Sequence, residues 1–272
     1  MNKTTFLGLI ITALFILTAL FAPLIAPYSP FEQDLYNGLA KPDSGHMMGQ
    51  DRLGRDVFSR IIHGSRISLF VGFVTVFVSA TIGVILGSLA GYFGGRIDNA
   101  IMRLVDVFLA FPGILLAIAI MAVLGPSITN VVAALCIMGW TSFARLVRGQ
   151  VLSLREREFV HAAKALGASP YRTIRLYILP NLAAPLIVEA TFGIASAIIA
   201  EAGLSFLGLG AQPPTASWGT MLSEGRQFFL VAPHMTTFPG LAIMMVVLGI
   251  NFLGDGLRDW LDPKSQATVK GI

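Results

Sequence analysis

Long apolar runs alternate with short polar segments along this chain, and the runs have the lengths of membrane helices. Phe6 to Ala26 holds 21 residues without a charge, and Ile67 to Phe93 holds 27. A run of the second length crosses a hydrocarbon core of about 30 Å with some tilt. Val107 to Leu124, interrupted early by Pro112-Gly113, is a third run. Ile128 to Ala144, Leu182 to Phe206 and Met235 to Leu253 are three more. The pattern predicts an all-α integral membrane protein with six transmembrane helices. The first run is longer than the apolar core of about 7 to 15 residues in a cleaved signal peptide, so it reads as a retained signal anchor.

Within the second run Ser79, Gly83, Gly87 and Gly91 recur at every fourth position, the spacing of a stripe that lets a neighbouring helix approach closely. Tyr28 to Arg66, rich in Pro, Gly, Asp and Arg, reads as an external loop. Residues 1–66 are therefore expected to form a first span with its loop. Residues 67–262 would form a core of five spans, and residues 263–272 a tail.

One segment breaks the apolar pattern. Phe159 to Asn181, FVHAAKALGASPYRTIRLYILPN, is basic and helix-like. Phe159, Ala162, Ala163 and Leu166 fall at i, i+3, i+4 and i+7, which gives a short helix one apolar face made mostly of small side chains. Gly167 is a natural C-terminal stop, and Ser169-Pro170 a natural N-cap and first position for a second helix bearing Arg172 and Arg175. Pro180 predicts a further break. Helix, glycine, helix, proline makes a compact hairpin.

Composition sharpens the class. Charged residues are 12% of the 272, against about 25% in soluble domains, and mean hydropathy is +0.75. Soluble enzymes and nucleic-acid binders are excluded. The net charge of +4 comes from 19 basic and 15 acidic residues, and the placement of the basic ones carries the information. With both termini cytoplasmic, the inner segments hold one, two, seven and three Lys or Arg, thirteen of the nineteen. The positive-inside rule thus puts residues 159–181 in the cytoplasm. A single cysteine, Cys136 in an apolar run, leaves no intramolecular disulfide and reads as a packing residue.

His161-Ala162-Ala163, Gly167 and Leu179-Pro180 have the spacing of the EAA loop of importer-type ABC permeases: Glu-Ala-Ala, three residues, Gly, nine residues, Ile, one residue, Leu-Pro. His161 stands in place of the Glu and Tyr177 in place of the Ile. His46 to Gly72, HMMGQDRLGRDVFSRIIHGSRISLFVG, and Glu201 to Gly219, EAGLSFLGLGAQPPTASWG, resemble the C-type permease of the dipeptide, oligopeptide and nickel importer group. The resemblance extends over nearly the whole chain.

It implies a type I ABC importer permease architecture in a prokaryotic inner membrane. The loop's short helix would insert into a groove on an ATPase subunit, with His161, Ala162, Ala163, Lys164, Gly167, Ala168, Leu179 and Pro180 as coupling residues. A second, B-type permease subunit, two ATP-binding subunits and an extracytoplasmic substrate-binding protein are the implied partners. ATP and Mg would belong to the ATPase subunits, so no cofactor or metal is expected on this chain and no covalent chemistry. Peptides, a nickel chelate and other small solutes all remain open as cargo.

Candidate chemistry inside the spans is sparse. Glu189 and Glu201 are carboxylates within one apolar run, where they are costly and face protein or water. Each is open to a structural role or to lining a passage or gate, with Ser205 beside the second. Asp106 and Asp255 are expected to pair with Arg103 and Arg258 near span ends. Trp140 and Trp218, with Phe228 and Phe229, read as membrane-interface anchors. Gly49 to Asp56, GQDRLGRD, is a near miss to a phosphate-binding loop, with Arg55 in place of the Lys, and reads instead as a charged element folded back at the entrance. Two other classes are distinguishable. An ion-coupled secondary transporter would place coupling carboxylates in mirrored halves, whereas these two share one span. An intramembrane hydrolase would need a base at membrane depth near Ser205, and no histidine lies there.

Overall fold

The computed structural model describes residues 3–261, and the expected tail at 263–272 lies outside them. Eleven α-helices follow one another with no β-strand among the described residues. They are α1 (Lys3–Leu20), α2 (Ala22–Ile25), α3 (Val57–Phe93), α4 (Gly95–Leu109), α5 (Gly113–Leu124), α6 (Ile128–Leu154), α7 (Glu158–Ala165), α8 (Pro170–Thr173), α9 (Ala183–Phe206), α10 (Trp218–Gly225) and α11 (His234–Leu261). Five runs are long and apolar enough to cross a membrane: α1, α3, α6, Pro170–Phe206 and α11. A sixth is available only if α4 and α5 count as one span, and they are bent by 87°.

The third predicted span is therefore not straight. Pro112 takes a non-helical ψ of 123°. Proline also disfavours the α region for Phe111 before it, so the helix ends at Leu109 and restarts at Gly113. At about 1.5 Å per residue, α5 alone reaches about 18 Å, short of the hydrocarbon thickness.

The small-residue stripe on α3 packs as its spacing predicts. A Cβ on Gly87 would lie 2.5 Å from the Ala144 carbonyl oxygen, and one on Gly91 would lie 2.8 Å from Val151 Cβ. α3 and α6 thus meet backbone to backbone. On the other flank α1 lies along α11, where a Cβ on Gly249 would come 2.6 Å from Ile11 Cγ2. Between these seams a core of Val57, Leu69, Ile198, Trp218, Met221, Val246 and Ile250 joins α3, α9, α10 and α11.

Several boundaries and roles differ from those predicted. α3 starts at Val57, ten residues before Ile67, because Asp56 caps it by accepting the Ser59 N–H at 2.7 Å. α6 continues past Ala144 to Leu154, and its arginines are matched by α4. Arg148 meets Asp98 at 2.5 and 2.6 Å, and Arg145 meets Asp106 at 3.2 Å. Asp106 is therefore paired with Arg145 and not Arg103, while Asp255 is exposed with no ion pair among the described residues. Trp218 and Trp140 are buried, not interface anchors. Trp218 donates its Nε1–H to the Ile61 carbonyl at 3.0 Å and meets Phe15 edge-on. Trp140 meets Phe108 in the same way. Indole finds an interior place here because its one donor is satisfied within the bundle or its ring is packed.

Candidate functional site

The hairpin at one end of the bundle forms as its sequence dictates. Gly167 has φ +83°, the left-handed conformation that glycine adopts without strain. Its N–H donates to the Lys164 carbonyl at 2.9 Å, and the Ala168 N–H donates to the Ala163 carbonyl at 3.0 Å, which closes α7. Ser169 caps α8 by accepting the Arg172 N–H at 3.4 Å, and Pro170 opens it. Pro180 does not end the chain's helical course. It has no N–H to give, and the backbone accommodates this with a π turn over Ile174–Ile178 and a 3₁₀ turn over Leu179–Leu182 before α9 begins.

Val160, Ile178 and Leu182 root the hairpin on Val147 and Val151 of α6. Ala163 points inward with them at 4% exposure, whereas Ala162 is exposed. The apolar face predicted from spacing is thus split. Phe159, Ala162 and Leu166, the last 90% exposed, stay outside with Tyr171 and Leu176, while Ala163 belongs to the root. Lys164 places its ammonium 5.3 Å from the centre of the Tyr92 ring, tying α7 to the end of α3. His161 is exposed, 3.7 Å from Glu156. Apart from its chain neighbours, no described residue has an atom within 4 Å of where a Gly167 Cβ would be. Leu179 is half-buried and Pro180 exposed.

Glu201 and Ser205, considered beside Glu189 for a passage or gate, are fully enclosed. Glu201 accepts hydrogen bonds from Ser205 at 2.7 Å and Ser68 at 3.1 Å, and the Ser217 hydroxyl reaches it too. The Ser205 hydroxyl in turn accepts the Ala211 N–H at 3.2 Å. The carboxylate therefore ties α3, α9 and the entry to α10 together. Gly210 and Gly219 crowd against Ser205 and Ala202, where no side chain fits. That close approach accounts for the glycine spacing of EAGLSFLGLGAQPPTASWG.

At the end of the bundle opposite the hairpin, the run GQDRLGRD folds back as a buried ion cluster. Arg55 Nε meets Asp51 at 2.6 Å, and Arg55 Nη2 and Arg60 Nη1 each meet Glu224 of α10 at 2.8 Å. Arg60 also pairs directly with Asp51. His46 reaches Asp56 at 2.9 Å, and His234 of α11 bonds the Gln50 carbonyl at 3.0 Å. Sequence reasoning found the loop but not Glu224. The available signal was that Glu224 is the only charged residue between Glu201 and Arg226.

Glu189 alone of the three borders open space. A cavity of about 360 Å³ between α3, α6 and α9 is lined by Thr75, Ser79, Ser142, Glu189, Phe192 and Ser196 among others. A second, of about 510 Å³, is bordered by Glu189 and Arg258. The wall of the first cavity thus carries one carboxylate and several hydroxyls.

Residues 83–266 match the family described as binding-protein-dependent transport system inner membrane component. Residues 1–42 match the N-terminal TM domain of oligopeptide transport permease C. The chain belongs to the binding-protein-dependent transport permease family. Its relatives in that family include the dipeptide transport system permease protein DppC of Alkalihalophilus pseudofirmus, 52% identical over 98% of this chain and 88% of that one. DppC of Haemophilus influenzae is 44% identical over 97% and 91%. The glutathione transport system permease protein GsiD of Escherichia coli is 50% identical over 92% and 83%. In fold the chain is similar to an inward-facing MetNI methionine ABC transporter chain, with a TM-score of 0.62 at 21% identity over 75% of this chain and 97% of that one. This permease is accordingly a multi-pass inner-membrane subunit of an ATP-binding-cassette importer, and it works within a complex that includes ATPase subunits.

Proposed function

We propose that this permease forms half of the translocation pathway for small peptides. Relatives at 52% and 44% identity over almost the whole chain are dipeptide permeases, and this carries the cargo reading toward peptides and away from a nickel chelate. A second, B-type permease completes the pathway, two ATP-binding subunits hold ATP and Mg, and an extracytoplasmic binding protein delivers cargo. Both termini and the hairpin face the cytoplasm.

The hairpin is the coupling element. Its root is packed on α6 by Val160, Ala163, Ile178 and Leu182, so a push on its tip is passed to the spans as a rigid-body movement. Its tip shows Phe159, Ala162, Leu166 and Tyr171, exposed among the described residues, a face fit for an ATPase groove. Such exposed apolar clusters on a rigid support mark protein contacts. His161, Ala162, Gly167 and Ala168 lie at or beside that tip. Ala163, Lys164, Leu179 and Pro180 act through the root.

Proteoliposomes holding the complete complex test the reading. Uptake of labelled dipeptide is expected to require ATP inside and the binding protein outside. Uptake by this chain on a proton or sodium gradient without the ATPases would instead favour an ion-coupled secondary transporter.

A further inference from the structure

The cavity between α3, α6 and α9 is bordered by a carboxylate left unpaired among the described residues, Glu189. Thr75 is 4% exposed and Ser79 1%, and the hydroxyl oxygen of each has no hydrogen-bond partner among the described residues. Both oxygens are turned into the helix packing, Ser79 Oγ toward Gly139 of α6, so the groups left to face the cavity are Glu189 and the hydroxyls at its edge. Glu189 borders the same space, seven residues into α9 and hence about 10 Å along it. It has no hydrogen bond or ion pair among the described residues, although a carboxylate in a span is costly unless it is paired. No lysine or arginine among the described residues lines this cavity. Ser142 and Ser196 are exposed at its edge, and Phe192 supplies an apolar side.

We propose that Glu189, with the hydroxyls of Ser142 and Ser196, forms a subsite for a primary ammonium group, the α-amino group of the peptide in transit. This rests on the peptide-permease reading above. A compact ammonium has three donors and no acceptor, and this wall presents a carboxylate and hydroxyl oxygens that can all accept. Charge complementarity favours it, since the lining carries one negative and no positive side chain. The site would be transient, binding the ammonium strongly enough to guide it into the pathway and weakly enough to release it.

The test places a thiol at the mouth of the cavity. The chain has one native cysteine, Cys136, and it is buried, so Ser196→Cys provides the reactive position. In the assembled complex, an aminoethyl thiosulfonate should modify this thiol about tenfold faster than a sulfonatoethyl one, each rate normalised to a free thiol, as expected for a nearby unpaired carboxylate. Adding Glu189→Gln should abolish the preference, and Glu189→Asp, which keeps the charge, should retain it. Glu189→Gln alone should lower dipeptide uptake about tenfold. Equal normalised rates in a complex that imports dipeptides would overturn the subsite and leave the permease reading intact. A cation preference dependent on Glu189 in a complex that imports no dipeptide would overturn the peptide cargo and leave an ammonium site. Glu189→Gln with unchanged preference would overturn the assignment to this carboxylate.

Discussion

Residues 51–60 and residues 158–182 both carry several basic side chains, yet the structure uses them in opposite ways. Arg55 and Arg60 are at most 3% exposed and share Asp51 and Glu224, two positive charges matched by two negative ones. Lys164, Arg172 and Arg175 are exposed, Lys164 near the Tyr92 ring and Arg175 on the Tyr171 hydroxyl, with no ion pair among the described residues. The first region is closed on itself and holds α3, α10 and the long loop in one arrangement. The second is anchored on one side and open on the other. With three basic residues in each region, a fastening is told from a contact surface only once burial and partners are known.

Substitutions at the two places should differ most in stability. Asp51→Ala leaves two buried guanidinium groups with a single partner, and breaking a buried pair costs about 3–5 kcal/mol. Thermal unfolding in detergent should show the largest drop for this variant. Ser205→Ala removes the bonds to Glu201 and to the Ala211 N–H and should cost about 1–3 kcal/mol, read by the same melt. In the hairpin, Ser169→Ala removes one cap and should cost about 1 kcal/mol. A loss as large as that of Asp51→Ala would mean the hairpin is part of the core. Leu166→Asn changes a residue that is 90% exposed, so its melting point should shift by no more than about 0.5 kcal/mol equivalent, while dipeptide uptake should fall sharply.

The sequence made the spans, the α3 stripe and the hairpin's turn chemistry readable, because each depends on local spacing. Gly83, Gly87 and Gly91 needed only their period of four, and Gly167 and Ser169 only their neighbours. Features set by distant residues were not readable. Arg55 and Arg60 find Glu224 more than 160 positions away, and Asp106 finds Arg145 39 positions on. Trp218 could be read as an interface anchor because nothing local reveals that its N–H meets the Ile61 carbonyl. The α4–α5 bend was signalled by Pro112, but the contact of Asp98 in α4 with Arg148 of α6, 50 positions on, was not. Of the two glutamates in α9, the sequence could not say that one is enclosed and the other open, since that depends on which helices surround them.

Ala162→Arg puts the coupling role of the open face to its most direct test. Ala162 is exposed on a short helix, and arginine is nearly as good a helix former as alanine, so the chain itself should fold and melt as before. Purification of the complex through a tag on this chain, followed by ATP-driven dipeptide uptake, should show the ATPase subunits lost and uptake reduced to background. Full retention of the ATPase subunits with undiminished uptake would contradict the docking of this hairpin in the ATPase groove.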